Sequence, residues 1–181
     1  MSAPTVGIGG AGRGGREEPV ERPLRIGVIG SADAEGEVLV AARAVGRALA
    51  RAEALLVCGG LGGVMAAAAE GAAEEGAPVL GLLPGDDPGD AAPGVSIPVP
   101  TGLGEARNVL VVRASEAVIA VSGEWGTMSE AAFCMKLGVP LVGVLDSLPD
   151  EFPIDRFRDP AAAVARAFEL AQGRRREGAQ R

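Results

Sequence analysis

The chain has 181 residues, 48% of them hydrophobic, so it is long enough to fold as one domain with a sizeable core. Its formal net charge is −7, and such acidity argues against general binding to nucleic acid or to an anionic membrane, which needs excess basic charge. Histidine and tyrosine are absent, which excludes a Ser-His-Asp triad, an imidazole base and a histidine metal site. Any chemistry must therefore use carboxylates, arginines, hydroxyls and backbone amides.

Residues 1–22 are rich in glycine, arginine and proline, a composition that predicts a disordered arm. The arm contains GIGGAG, which is similar to a dinucleotide-binding loop. No predicted strand precedes this motif and no apolar helix follows it, so it is interpreted as a decoy. Residues 23–172 are predicted to form a single domain, and residues 173–181 a flexible tail.

Within this domain, short apolar runs alternate with stretches in which apolar residues recur at helical spacing. Strands are predicted within residues 23–32, 54–63, 77–85, 116–123 and 139–146, a short extended segment within 95–102, and helices within 35–54, 64–76, 104–115, 127–138 and 159–172. Continuous Val, Ile and Leu runs are typical of parallel strands buried on both faces. The alternation therefore predicts a Rossmann-like, doubly wound parallel sheet in a three-layer α/β/α sandwich.

Two cysteines, Cys58 and Cys134, lie in apolar contexts and are predicted to be buried thiols in a reducing cytoplasm. No stretch approaches the length of a membrane span, and the N-terminus has no apolar segment behind a basic start. A cytoplasmic protein without a signal peptide is therefore expected.

Glycine-rich turns follow three of the predicted strands, at Gly30–Ser31, residues 59–63 and residues 123–126. The carboxyl ends of parallel strands meet at one rim, where ligands of such sheets bind. A strand-to-helix turn offers unpaired N–H groups and the positive end of the helix dipole, which suit a phosphate. Each turn alone is explained by tight chain geometry, so only their combination favours a phosphate site.

Several nearby residues have a structural interpretation beside a functional one. Thr127 and Glu130 match a capping box, which is the interpretation that the pattern alone favours. Arg107 can be a surface arginine beside Glu105. Trp125 can either fill the edge of the core or stack on a base or pterin ring at the mouth of a pocket.

Three segments, GGLGGVMAAAAEGA, GEARNVLVVRASEAVIAVSGEWGTMSE and VPLVGV, resemble the lonely-guy (LOG) family, formerly labelled lysine-decarboxylase-like. The resemblance runs from about Leu24 to Leu145. It implies that Gly123, Gly126, Thr127 and Glu130 fill the family's PGGxGTxxE motif and that Arg107 is the family's arginine. In LOG enzymes this arginine and glutamate are the catalytic pair that cleaves the N-glycosidic bond of cytokinin nucleoside 5′-monophosphates.

Two departures separate this chain from the enzyme motif: Ser122 replaces its proline and Glu124 replaces a glycine. The pattern IGVIGS…PTGLGEARN is closer to the molybdenum-cofactor (MoCo) carrier branch, whose members hold the pterin phosphate without hydrolysing it. The resemblance also implies a homodimer or larger homo-oligomer with its pocket at or close to a subunit interface. Glu124 is predicted to turn outward, because its charge would repel a phosphate.

The first hypothesis is a protein that binds a phosphorylated heterocycle, either a MoCo-like pterin or a nucleotide monophosphate. Its candidate ligand-binding residues are Gly30, Ser31, Gly59, Gly60, Gly62, Gly63, Asn108, Gly123, Trp125, Gly126 and Thr127. The alternative is a phosphoribohydrolase that releases ribose 5-phosphate, with Arg107 and Glu130 as catalytic residues and no cofactor required. No metal site is predicted. Single-stranded DNA binding is disfavoured by the net charge.

Overall fold

The structure, a computed structural model, describes residues 22–123 and 125–179. Its strands are β1 (Arg25–Ile29), β2 (Leu55–Cys58), β3 (Val79–Leu83), β4 (Ile97–Pro100), β5 (Ala117–Ala120), β6 (Leu141–Val144) and β7 (Asp155–Phe157). Its α-helices are α1 (Glu37–Arg51), α2 (Gly63–Glu74), α3 (Asn108–Ala114), α4 (Trp125–Leu137) and α5 (Pro160–Ala179). Short 3-10 turns cover Pro88–Asp90 and Gly104–Arg107. The GIGGAG motif and Glu124 lie outside the described residues.

All the strands pair in parallel in one sheet of order β4-β3-β2-β1-β5-β6-β7. One core cluster packs the sheet against α1, α2 and α5, and a second packs its other face against α3 and α4. The predicted doubly wound α/β/α sandwich is therefore confirmed. The chain order reverses between β1 and β5, and this switch point is the expected ligand crevice of an open α/β sheet.

Helices α1 and α2 pack closely because each carries a glycine at their contact. A Cβ atom on Gly46 would overlap the Ala68 carbonyl, and one on Gly71 would overlap the Arg43 carbonyl. Arg43 pairs with Glu70 and with Glu74 along the same seam. The small residues therefore allow the close spacing of α1 and α2, which cover the paired strands β1 and β2.

The edge strand β4 carries two prolines, Pro98 and Pro100. Residues of a strand alternate in the side toward which their N–H and C=O groups point. Thr101 donates its N–H to the Leu83 carbonyl of β3 at 3.1 Å, so Val99 also faces β3 and the prolines face outward. Since proline has no N–H, the outer edge presents no donor at these positions, a device that discourages pairing with another chain.

Strand β7 and the end of helix α5 are the largest departures from the sequence prediction. Strand β7 was not expected, because three half-exposed residues at a sheet edge show no apolar pattern. Helix α5 continues seven residues beyond the predicted end at residue 172. Arg174 binds the Ser115 carbonyl at 3.2 Å, and Arg175 binds the Glu116 carboxylate at 2.7 and 2.8 Å, so the polar end of the helix has partners on the sheet.

Glu116 joins three parts of the fold at the end of the sheet opposite the glycine turns. Its carboxylate accepts the Arg25 N–H at 2.9 Å as well as the Arg175 bonds. Burial favours the neutral acid, but the hydrogen bonds and charges of Arg175 and Arg25 outweigh it and hold the pKa of Glu116 below its usual value. This carboxylate thus anchors α5 to the first residues of β1.

Both cysteines, Cys58 and Cys134, are free and buried, as predicted. Burial raises the pKa of the Cys58 thiol to about 11, so this thiol stays protonated at neutral pH. Among residues 22–123 and 125–179, no helix has the length and apolar character needed to cross a bilayer.

Candidate functional site

A cavity of about 170 Å³ opens at the carboxyl ends of β1 and β2, beside the first turns of α3 and α4. The residues that line it are Gly30, Ser31, Ala32, Leu61, Met65, Glu105, Arg107, Asn108, Gly126, Thr127 and Glu130. They come from four chain segments that the sheet topology brings to one rim. The cavity lies at the switch point of the sheet.

Arg107 forms the charged wall of this cavity, at the junction between a 3-10 turn and α3. It is only 5% exposed. Its Nη2 donates to the Gly59 carbonyl at 3.3 Å, and its Nη1 donates to Asn108 Oδ1. Its Nε is buried and has no partner among the described residues. Buried N–H groups are ordinarily paired, so the unpaired Nε–H of Arg107 is an exception among the described residues.

The position of the Arg107 guanidinium requires a glycine at position 59. A Cβ atom at Gly59 would overlap the Arg107 guanidinium. Gly59 follows β2 directly, so the Arg107 guanidinium packs against the end of this strand. The first glycine of the predicted phosphate turn therefore makes room for a side chain.

Glu130 faces Arg107 from α4, with 3.7 Å between Oε1 and Arg107 Nη1. It is 6% exposed, and its carboxyl group accepts no hydrogen bond from the described residues. Burial raises the pKa of Glu130 to about 8; the charge of Arg107 opposes this rise and that of Glu105 adds to it. Glu130 is consequently mostly protonated at pH 7.

The capping-box interpretation of Thr127 and Glu130 is wrong. Helix α4 begins at Trp125, so Thr127 lies inside its first turn and is not the residue before the helix. The Glu130 carboxyl group lies beside Arg107 and accepts no backbone N–H among the described residues. The Thr-x-x-Glu spacing instead puts both side chains on the cavity side of α4.

Asn108 connects α3 to α4. Its Nδ2 donates to Ser129 Oγ at 3.3 Å, and Ser129 Oγ donates to the Gly126 carbonyl at 2.7 Å. Because Asn108 Oδ1 also accepts from Arg107, this chain of hydrogen bonds fixes the guanidinium relative to the first turn of α4. On the opposite wall, Ser31 Oγ accepts the Asp33 N–H at 3.1 Å.

Seven of the sequence-predicted residues are brought together in the cavity wall: Gly30, Ser31, Arg107, Asn108, Gly126, Thr127 and Glu130. The glycines of the second turn do not line the cavity. A Cβ atom on Gly60 would overlap the Leu83 side chain, and one on Gly63 would overlap the Ser31 carbonyl. Gly62 is the residue before α2, whose first turn begins at Gly63. Direct phosphate binding by Gly59, Gly60, Gly62 and Gly63 stays a prediction.

Gly123 and Trp125 do not line the cavity either. A Cβ atom on Gly123 would overlap the Ser147 carbonyl, so this glycine permits a close chain crossing. Trp125 is 85% exposed, and the interpretation that it fills the edge of the core is therefore wrong. Its indole ring stands on the outside of α4, one residue from the cavity-lining Gly126. The predicted outward turn of Glu124 falls on a residue that is not described.

Sequence reasoning missed Ala32, Leu61, Met65 and Glu105 as lining residues, and Ser129 as a support of Asn108. Leu61 lies between the glycines of the second turn, and a single leucine there carries no sequence signal for a lining role. Glu105 carried a usable signal, because it lies two residues before Arg107 in the turn that positions the arginine.

The model of the SLOG cluster4 family matches residues 23–171 of the chain. An uncharacterized protein of Archaeoglobus fulgidus is 42% identical over 117 residues, which are 64% of this chain and 76% of that protein.

Two solved structures are similar over most of the fold. The molybdenum cofactor binding protein from Rippkaea orientalis has a TM-score of 0.79 and 29% identity, over 83% of this chain and 98% of that one. The molybdenum cofactor carrier protein from Chlamydomonas reinhardtii has a TM-score of 0.75 and 33% identity, over 82% of this chain and 98% of that one. The chain therefore belongs to the SLOG cluster4 family, within the LOG and MoCo-carrier superfamily that its motifs resemble.

Proposed function

We propose that the cavity binds the phosphate-bearing end of a phosphorylated heterocycle, either a MoCo-like pterin or a nucleotide monophosphate. The observation that carries the proposal is the buried Arg107 guanidinium, a permanent positive charge held in the cavity wall beside Glu130. A buried cation whose nearest carboxyl group is mostly protonated is a strong site for an anion. The names of the two similar solved proteins support a pterin as one class of ligand.

The start of α4 provides a second contribution to the anion site. Gly126 and Thr127 lie in the first turn of this helix and line the cavity. The first four N–H groups of a helix have no partner within it, and its dipole places partial positive charge there. A phosphate between Arg107 and this turn would be contacted from two sides, because the Asn108 hydrogen bonds hold α3 and α4 in register.

The protonation of Glu130 affects how tightly an anion binds. An ionised carboxylate 3.7 Å from Arg107 would compete for the guanidinium and repel a phosphate. With its pKa raised to about 8, Glu130 is mostly neutral at pH 7 and can donate a hydrogen bond to a phosphate oxygen.

The size of the cavity limits which part of the ligand it takes. Pockets for whole ligands of this kind span roughly 300–1,000 Å³, whereas this cavity has about 170 Å³. The phosphate and adjoining carbons would fill it, and the ring would lie at the rim. Trp125, exposed beside Gly126, offers a flat apolar surface on which such a ring can stack.

A phosphoribohydrolase is the second candidate, and the convergence of Arg107 and Glu130 favours it. Cleavage of the N-glycosidic bond passes through an oxocarbenium-like state, in which a carboxylate can position water or the ribose hydroxyls. Glu130 would have to be ionised for this role, while Arg107 would neutralise the phosphate. The two candidates therefore require opposite charge states of Glu130.

We also propose that the protein acts in the cytoplasm as a homo-oligomer. Leu103, Trp125, Phe133 and Met135 are large apolar side chains exposed to solvent on and near the α4 side of the fold. Exposed apolar groups of this kind are frequent in subunit interfaces.

Replacing Arg107 with Gln is expected to weaken binding of a nucleoside 5′-monophosphate at least tenfold, because it removes a buried charge-assisted contact to the phosphate. Isothermal titration calorimetry with GMP and AMP measures the affinity, and circular dichroism checks that the variant is folded. Arg166→Gln is the matched control, since it removes the same charge from an exposed arginine paired with Asp155 and Glu169. Equal affinity of Arg107→Gln and the wild type would contradict the proposal.

Binding is expected to weaken as the pH rises through about 8, where Glu130 ionises and begins to repel the phosphate. The phosphate group itself titrates near pH 6, so it remains a dianion from pH 7 to 9. Titrations at pH 7, 8 and 9 should show a decline of several-fold in the wild type and a flat profile in Glu130→Gln. A decline of the same size in both proteins would assign the effect to another group.

Incubation with AMP and N6-substituted AMP, followed by assay of ribose 5-phosphate, distinguishes binding from hydrolysis. The binding proposal expects no turnover at any pH. The hydrolase candidate expects turnover that increases as Glu130 ionises above pH 8 and disappears in Glu130→Gln. Turnover with this pH profile would replace the binding-only proposal with the second candidate.

A further inference from the structure

Glu105 stands at the rim of the cavity with an exposed carboxylate. Among residues 22–123 and 125–179 this carboxylate forms no hydrogen bond and no ion pair. Arg107, the cation of the same wall, faces Glu130 at 3.7 Å and forms no ion pair with Glu105. The negative charge of Glu105 nevertheless contributes to the raised pKa of Glu130, so it acts on the same small space.

The backbone that carries Glu105 is firmly anchored. Gly102 donates its N–H to the Gly85 carbonyl at 3.0 Å, and Gly104 donates to the Pro84 carbonyl at 3.0 Å. Both glycines have positive φ, of 64° and 54°, which other residues rarely adopt. The turn is therefore tied to the end of β3 immediately before Glu105, and the position of this residue at the rim is set by the fold.

An unpaired carboxylate at a phosphate-binding cavity cannot serve the phosphate itself, since two like charges would meet. Water satisfies the exposed carboxylate in the absence of a ligand, and a ligand group that replaces this water must offer hydrogen-bond donors, because an ionised carboxylate is purely an acceptor. The part of the ligand at the rim is the ring, as the cavity holds little more than the phosphorylated end.

We infer that Glu105 is a specificity-determining residue that accepts two adjacent N–H groups from the ring of the ligand, the donor pair presented by guanine and by pterin. This inference rests on the proposed function of the cavity. In guanine the pair is the ring N1–H and the 2-amino group, and in pterin it is the ring N3–H and the 2-amino group. One carboxylate matches two parallel donors in a bidentate contact.

Adenine is disfavoured by the same geometry. Its corresponding edge pairs the 6-amino donor with the acceptor N1, which would face a carboxylate oxygen without a proton between them. When a ligand places an acceptor opposite an acceptor of the protein, neither group is satisfied. The site therefore discriminates strongly against such a ligand. Hypoxanthine keeps the ring N–H but lacks the 2-amino group, so it is expected to bind with intermediate affinity.

Calorimetric titration of the wild-type protein with GMP, IMP, AMP and a pterin carrying a phosphomethyl group tests the inference. GMP should bind about tenfold more tightly than AMP, with IMP between them. Glu105→Gln, whose amide offers one donor and one acceptor, should reduce the ratio of GMP to AMP affinity to about one. Glu151→Gln, which removes a charge from an exposed glutamate far along the chain, should leave the ratio unchanged.

The phosphorylated pterin distinguishes the two sources of the shared edge. The inference is supported if this compound or GMP binds more tightly than AMP and if Glu105→Gln loses that preference. Whichever of the two binds more tightly identifies the class of ligand, pterin or guanine nucleotide. Equal binding of AMP and GMP that still depends on Arg107 would overturn the role of Glu105 while leaving the proposed function intact. Failure of all four compounds to bind would overturn both.

Discussion

The buried guanidinium of Arg107 is the interaction on which the site depends. It rests on the carbonyl that follows β2, binds Asn108 at the start of α3, and faces Glu130 of α4. An arginine cannot lose its charge, so burying it requires partners or an anion. The carboxyl group placed to neutralise it is itself mostly neutral at pH 7, because burial raises its pKa to about 8. The resulting excess of positive character in a small cavity is the physical basis of the proposed anion site.

Glycines supply the space for this arrangement more than they supply contacts. Gly59 leaves room for the arginine, while Gly46 and Gly71 allow α1 and α2 to approach closely. Gly102 and Gly104 take left-handed conformations that tie the turn before Arg107 to the end of β3. The glycine-rich turn after β2 therefore contacts the Arg107 guanidinium through the Gly59 carbonyl. Ligand binding would then come through the arginine.

Much of the fold followed from the sequence, because Val, Ile and Leu runs alternating with amphipathic stretches have few solutions other than a doubly wound parallel sheet. The convergence of Arg107 and Glu130 came from a motif resemblance, and the structure places the two groups 3.7 Å apart. The interpretation of Thr127 as a helix cap failed because helix starts are poorly fixed by local pattern. Strand β7 and the last turns of α5 depend on partners distant in the chain, such as the Glu116 carboxylate. The local sequence pattern cannot predict such distant partners.

The two proposed functions require opposite charge states of the Glu130 carboxyl group within the same geometry. The central claim, that a phosphate binds between Arg107 and the first turn of α4, is tested most directly by a crystal structure of the complex with GMP. The account predicts phosphate oxygens within hydrogen-bonding distance of Arg107 and of the Thr127 N–H. It would be contradicted by a phosphate bound elsewhere, for example in the cavity of about 410 Å³ that Arg156 and Arg158 line beyond β6 and β7.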